Sequence, residues 1–144
     1  MSRKAREIRV LLVDDSPDDE RILRRAMRGT AMLQNLQVVD DGDEAVEYLQ
    51  CRGKYARASR PDLILLDLNL PRRDGWEVLE EIKADPSFSS IPVVVLTTTD
   101  SREDIRRAYG LQVSSFITKP ADFALLERIM TTLDEFWTRM ASLP

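Results

Sequence analysis

Histidine is absent from this chain of 144 residues. That absence excludes an internal Ser/His or Cys/His catalytic pair, histidine ligation of a metal, and any phosphohistidine carried by the chain itself. Histidine chemistry would have to come from a partner. Cysteine is limited to Cys51, so no internal disulfide forms; a reducing compartment fits, and the thiol is expected to serve as a small hydrophobe in or near the core. Long apolar runs are missing too. The N-terminal MSRKAREIRVLLVDDS starts basic, but acids interrupt its apolar stretch too soon for a signal-peptide core or a membrane span. A soluble, cytoplasmic protein is expected. The net charge of -4 argues against nucleic-acid binding over the whole surface, and the local cluster Arg21, Arg24, Arg25 and Arg28 reads as the solvated face of a helix.

What is present is a repeating pattern. Apolar runs rich in Val, Ile and Leu occur at Ile8–Val13, Leu36–Val39, Leu63–Leu66, Val93–Leu96 and, more weakly, Ser115–Ile117, each followed by a segment with helical spacing. Runs that are apolar without strict alternation suit strands covered on both faces. Five strand-then-helix units therefore predict a doubly wound α/β domain with a five-stranded parallel sheet. The length suits one domain, residues 1–144, and the longest irregular piece is the loop Arg52–Pro61.

In such a sheet, ligands bind outside the carboxyl ends of the strands. The residues there are Asp14 and Asp15, Asp40 and Asp41, Asp67, Thr97, and Thr118 with Lys119. Some of the nearby acids have a local explanation. Ser16-Pro17-Asp18-Asp19 has the form of a helix start, so Asp18, Asp19 and Glu20 face free N–H groups and the positive end of the helix dipole. Asp41-Gly42 and Asp74-Gly75 read as turn and cap chemistry in the same way. Asp14 and Asp15 precede the cap, and Asp67 directly follows a fully apolar strand. Each alone could be a structural aspartate accepting loop N–H bonds. Together, three carboxylates at the ends of neighbouring strands make a hard-oxygen site suited to Mg²⁺. With Lys119 and Thr97 supplying a positive charge and a hydroxyl, the set is what a transferring phosphoryl group requires.

Asp14-Asp15, the segment DLNLPRRDG from Asp67 to Gly75, Thr97 thirty residues beyond Asp67, and Lys119-Pro120 agree in residue type and spacing across four strand ends. On these residues the chain resembles, over essentially its whole length, the receiver domain of bacterial two-component response regulators. GKY followed by RPDLILLDLNLP, then IKADP and VVVLTTTD, resembles the stand-alone regulators paired with bacterial phytochrome kinases. The resemblance implies a flavodoxin-like (βα)5 fold with strand order 2-1-3-4-5. It implies that Asp67 accepts a phosphoryl group from a phosphohistidine on a sensor histidine kinase. Asp15 would bind Mg²⁺ directly, Asp14 through water and Asn69 through its backbone carbonyl. Lys119 would pair with a phosphoryl oxygen, Thr97 would hydrogen-bond another, and Phe116 would turn inward as Thr97 moves. In this family the bond corresponding to Lys119-Pro120 is often cis. On this reading the chain is a phosphoacceptor switch that catalyses only its own phosphorylation and dephosphorylation.

The sequence departs from the common receiver pattern at Thr98, where Ala or Gly is usual, at Gln112-Val113, where Gly-Ala is frequent, and at the charged pair Arg72-Arg73 beside Asp67. No output domain is expected after Lys119. The final helix, starting near Asp122, carries Leu126, Met130, Leu133, Trp137 and Met140 on one stripe, with Leu125, Ile129, Phe136 and Leu143 beside it. At 1.5 Å per residue it would reach about 30 Å, so its last turns are expected to overhang the sheet and to offer Phe136 and Trp137 to a homodimer. Three other readings stay open. An aspartate-nucleophile phosphatase normally needs a second acid where this chain has Asn69; a flavin module lacks its phosphate loop here; a docking module would work without phosphate.

Overall fold

The computed structural model describes residues 6–70 and 74–144, and Arg72-Arg73 lie outside them. Five strands, β1 (Val10–Val13), β2 (Leu36–Val39), β3 (Leu63–Leu66), β4 (Val93–Thr97) and β5 (Ser115–Thr118), form one sheet in the order β2-β1-β3-β4-β5. Every pairing is parallel. Parallel neighbours need crossovers, and these are α1 (Pro17–Ala26), α2 (Gly42–Leu49), α3 (Gly75–Ala84) and α4 (Arg102–Gly110), with α5 (Phe123–Glu135) following the last strand. The order reverses between β1 and β3, which opens the crevice at their carboxyl ends.

The central strands β1 and β3 are apolar and buried throughout, and β4 is apolar up to Thr97, because both faces are covered; the edge strands β2 and β5 are only partly buried. Leu11, Val13, Ile64, Leu66, Val93 and Val95 belong to a core shared with α2, α3 and α4. The alternate residues Val10, Leu12, Leu63, Leu65, Val94 and Leu96 belong to the core shared with α1 and α5. All twelve are at most 1% exposed, and each such side chain contributes about 1.5–3 kcal/mol relative to its exposed state. Helix starts follow the local chemistry. Ser16 caps α1 through Asp19, Asp41 caps α2 through Glu44, and Asp74 caps α3 through Glu77, each oxygen accepting a backbone N–H.

Gly75 opens α3 against the chain that leaves β3. A Cβ there would lie 2.4 Å from Leu68 Cα and 2.6 Å from the Asp67 carbonyl oxygen, so only glycine lets α3 pack this closely behind Asp67. Gln112 adopts φ 66° in the turn before β5; this is the left-handed region where glycine costs least, so the turn keeps the backbone that favours glycine although Gln occupies it. Val113 beside it is buried.

Three expectations change. Cys51 is exposed rather than in the core, because it leaves α2 with φ 54° and turns its Sγ toward the Ala58 carbonyl. No cis peptide bond occurs among the described residues, so Lys119-Pro120 is trans. The C-terminal segment does not simply overhang. After α5 it makes one turn of π-helix, Phe136–Met140, and is tied back where the Arg6 N–H donates to Thr138 O and its guanidinium to Trp137 O. Trp137 and Leu143 consequently pack on the α1/α5 core of their own chain, whereas Phe136 and Met140 stay exposed. Among the described residues, no helix is long and apolar enough to cross a membrane.

Candidate functional site

At the carboxyl ends of β1 and β3 the hydrogen-bond ladder continues one residue beyond each strand. Asp14 N–H donates to Val39 O at 3.1 Å and Asp67 N–H to Val13 O at 3.0 Å. These bonds place two carboxylates side by side at the reversal point. Each is then oriented by the loop that leaves it: Asp14 Oδ1 accepts from Ser16 N–H at 3.0 Å, and Asp67 Oδ1 accepts from Asn69 N–H at 2.9 Å. Asp14 and Asp67 are both buried.

Lys119 arrives from the end of β5, where its own N–H donates to Thr97 O at 2.7 Å. Its ammonium sits among three carboxylates, with Nζ 3.2 Å from Asp14 Oδ2, 3.1 Å from Asp67 Oδ2 and 2.8 Å from Asp19 Oδ2. Burial works against the charged lysine. Hydrogen bonding to Asp19 and the charges of Asp67 and Asp14 outweigh it and hold the ammonium above its ordinary pKa. For Asp14 burial is the larger influence, and it raises the carboxyl above the usual value despite the Ser16 N–H and Lys119.

The oxygens of Asp14, Asp19 and Asp67 all lie within 4.8 Å of one another. Asp19 was expected to serve only the helix start, so its presence here corrects that reading. Its backbone does close the Ser16 cap, at 3.2 Å, while its side chain crosses to a lysine one hundred residues away. The one hint in the sequence was an acid more than the cap needs in PDDE. Asp15 follows Asp14 in the chain. It is exposed and is not one of the three converging carboxylates, because successive residues leaving a strand point to opposite sides and Asp14 takes the inner one.

Thr97 is completely buried and Asn69 Nδ2 stands 3.5 Å from its Oγ1. Phe116 is half-buried against the α2/α3/α4 core, and its N–H donates to the Tyr109 hydroxyl at 3.2 Å. The structure thus brings together Asp14, Asp67, Lys119, Asn69 and Thr97, with Asp15 at the rim and Phe116 farther along β5. Chemically this is a carboxylate held next to an ammonium, with a hydroxyl nearby, at the open end of a rigid sheet.

The profile of the family described as "Response regulator receiver domain" matches residues 10–131. Response regulator Rcp1 of Synechocystis sp. is 40% identical over 135 residues, which span 94% of this chain and 92% of Rcp1. Among solved structures, the phosphorylated cyanobacterial phytochrome response regulator RcpA is similar with a TM-score of 0.90 at 46% identity, covering 96% of this chain and 99% of RcpA. The Mn²⁺-bound form of Rcp1 gives a TM-score of 0.86 at 39% identity, covering 95% and 99% respectively.

Proposed function

The chain belongs to the response regulator receiver family, and on that premise we propose that Asp67 takes a phosphoryl group from a phosphohistidine on a sensor histidine kinase. The observation that carries this reading is the Lys119 ammonium 3.1 Å from Asp67 Oδ2 inside a carboxylate-lined crevice. An oxygen of Asp67 attacks phosphorus in line; the new O–P bond forms as the histidine N–P bond breaks, and the imidazole nitrogen keeps the electron pair. Lys119 stabilises the charge on the phosphoryl oxygens. A proton donor is not required for this step at Asp67, which suits a chain with no histidine.

The donor set fits a hard divalent cation, since it consists of carboxylate oxygens crowded around a single ammonium. Mg²⁺ is the ion proposed, held by Asp67, Asp15, Asp14 through water and the Asn69 carbonyl. When bound, such an ion neutralises negative charge on the transferring group. Thr97 then hydrogen-bonds a phosphoryl oxygen, and the space it leaves accepts the Phe116 ring. That exchange biases two arrangements of the loops and of α4, and the signal resides in the shift of population.

The kinase proposed is of the phytochrome class, supported by likeness to RcpA, itself described as a phytochrome response regulator. A homodimer through the C-terminal helix is also proposed, supported by Leu125, Phe136 and Met140, which are 44%, 43% and 62% exposed. The central test is incubation with a small acyl phosphate and Mg²⁺ followed by intact mass. Wild type gains one phosphoryl group and Asp67→Asn gains none; an equal gain in both would overturn the assignment.

A further inference from the structure

Lys119 has three ammonium hydrogens, and before phosphorylation each has a carboxylate to bond: Asp14, Asp67 and Asp19. No N–H is left over for a phosphoryl oxygen. One contact has to yield when the phosphoryl group arrives, and the three partners differ in what release would cost. The Asp14 side chain has no solvent exposure and that of Asp67 has 10%, so either one released would be a carboxylate stranded away from water. The Asp19 side chain is 38% exposed and can pass its oxygen to water. Yet at 2.8 Å it makes the shortest of the three bonds.

We propose that Asp19 is a positioning residue that holds the Lys119 ammonium in the unphosphorylated chain and competes for it with the incoming phosphoryl group, setting the rate at which Asp67 is modified. This rests on the reading of Asp67 as the phosphoryl acceptor. Asp19 lies on α1, outside the strand-end loops that supply the other groups, and it lines an open groove with Ile22, Thr98, Pro120 and Phe123. It therefore places negative charge beside Lys119 in open space that Lys119 also lines, where Arg25 is the other charged neighbour.

Neutralising Asp19 has two opposed effects. Lys119 loses one of three restraints, which would misplace it. The approaching anion loses a repulsive charge and gains a free N–H. The first effect is the smaller, because Asp14 and Asp67 still grip an ammonium whose side chain is only 11% exposed. The second is of the size found for partly exposed charge pairs, about two- to fivefold in rate.

The test compares wild type, Asp19→Asn, Asp19→Ser and Asp19→Glu for phosphorylation by acetyl phosphate with Mg²⁺, at low and high salt. Both neutral variants are expected to react about two- to fivefold faster at low salt, with the advantage shrinking as salt screens the charge, while Asp19→Glu stays near wild type. In the unphosphorylated protein, the Lys119 ammonium protons, followed by ¹⁵N NMR, exchange faster with water in the neutral variants. Equal or slower phosphorylation in both neutral variants with an unchanged melting temperature would overturn the proposal, as would an unaltered ammonium signal. If wild type acquires no phosphoryl group at all, the reading of Asp67 fails first; if it does and the Asp19 variants match it, only the role of Asp19 fails.

Discussion

The amide N–H of Gly75 donates to the carbonyl oxygen of Leu68 at 3.0 Å, which fastens the first turn of α3 to the residue that follows Asp67. A methyl group at Gly75 would collide with that same backbone rather than with a side chain able to rotate away. Gly75→Ala is therefore expected to cost about 3 kcal/mol and to lower Tm by roughly 6–12 °C. The displaced Asp67 should also react more slowly with acetyl phosphate, by roughly ten- to a hundredfold. Thermal melts and the phosphorylation time course check this; a variant with wild-type Tm and rate would mean that α3 does not set the position of Asp67.

Mg²⁺ should raise Tm, since it relieves crowding among carboxylates present only in the folded chain. At a concentration about a hundred times its Kd the gain is about 2.7 kcal/mol. Asp15→Ala is expected to lose most of that gain while changing the metal-free Tm little, because its side chain is exposed. Chelation with EDTA should return wild type to the metal-free value. Equal Mg²⁺ stabilisation of both proteins would place the ion elsewhere.

Glu44 governs part of the acid stability. Hydrogen bonding to Asp40, and then the Lys54 ammonium 2.7 Å away, hold its carboxyl down to about 2 from an ordinary 4.5. A carboxyl depressed on folding contributes stability that is complete above 4.5 and lost as pH falls toward 2. Asp40, raised chiefly by its hydrogen bond to Glu44, opposes this in part by taking up the shared proton at higher pH. Glu44→Gln should flatten the fall in Tm over that acid range and cost stability at pH 7. An unchanged acid limb in the variant would remove Glu44 from the account.

The proposed dimer depends on the apolar side chains that the C-terminal turn leaves in water. Replacing Phe136 and Met140 together by Ser should shift sedimentation from dimer toward monomer without unfolding, as both are exposed in the single chain. Trp137 is a poor choice for that experiment because it packs on its own core. Identical sedimentation of the double variant and wild type would exclude this face.

The fold was largely readable because the central strands are apolar runs closed by a polar residue, and a covered parallel sheet demands that pattern. Asp14, Asp67 and Lys119 were readable for the same reason, each being a charge at the end of such a run. Asp19 was not. Its N–H satisfies the Ser16 cap, the surplus acid in PDDE names no partner, and only the packing of α1 beside the β5–α5 connection brings its carboxylate to Lys119. Which of Asp14 and Asp15 turns toward Lys119 was not readable, because spacing alone does not say which of two adjacent side chains faces inward. Cys51 and Trp137 were misplaced for related reasons. A left-handed residue ends α2 where periodicity would continue, and the tie from Arg6 folds back a turn that helical spacing would extend.

The position of Cys51 has a practical side. It follows α2, at the end of the sheet opposite the strand termini that carry Asp67, and the residue is exposed. The native chain thus carries one addressable thiol remote from the proposed phosphoryl site, so a maleimide dye can be attached without any substitution and the proposed shift in conformation followed optically.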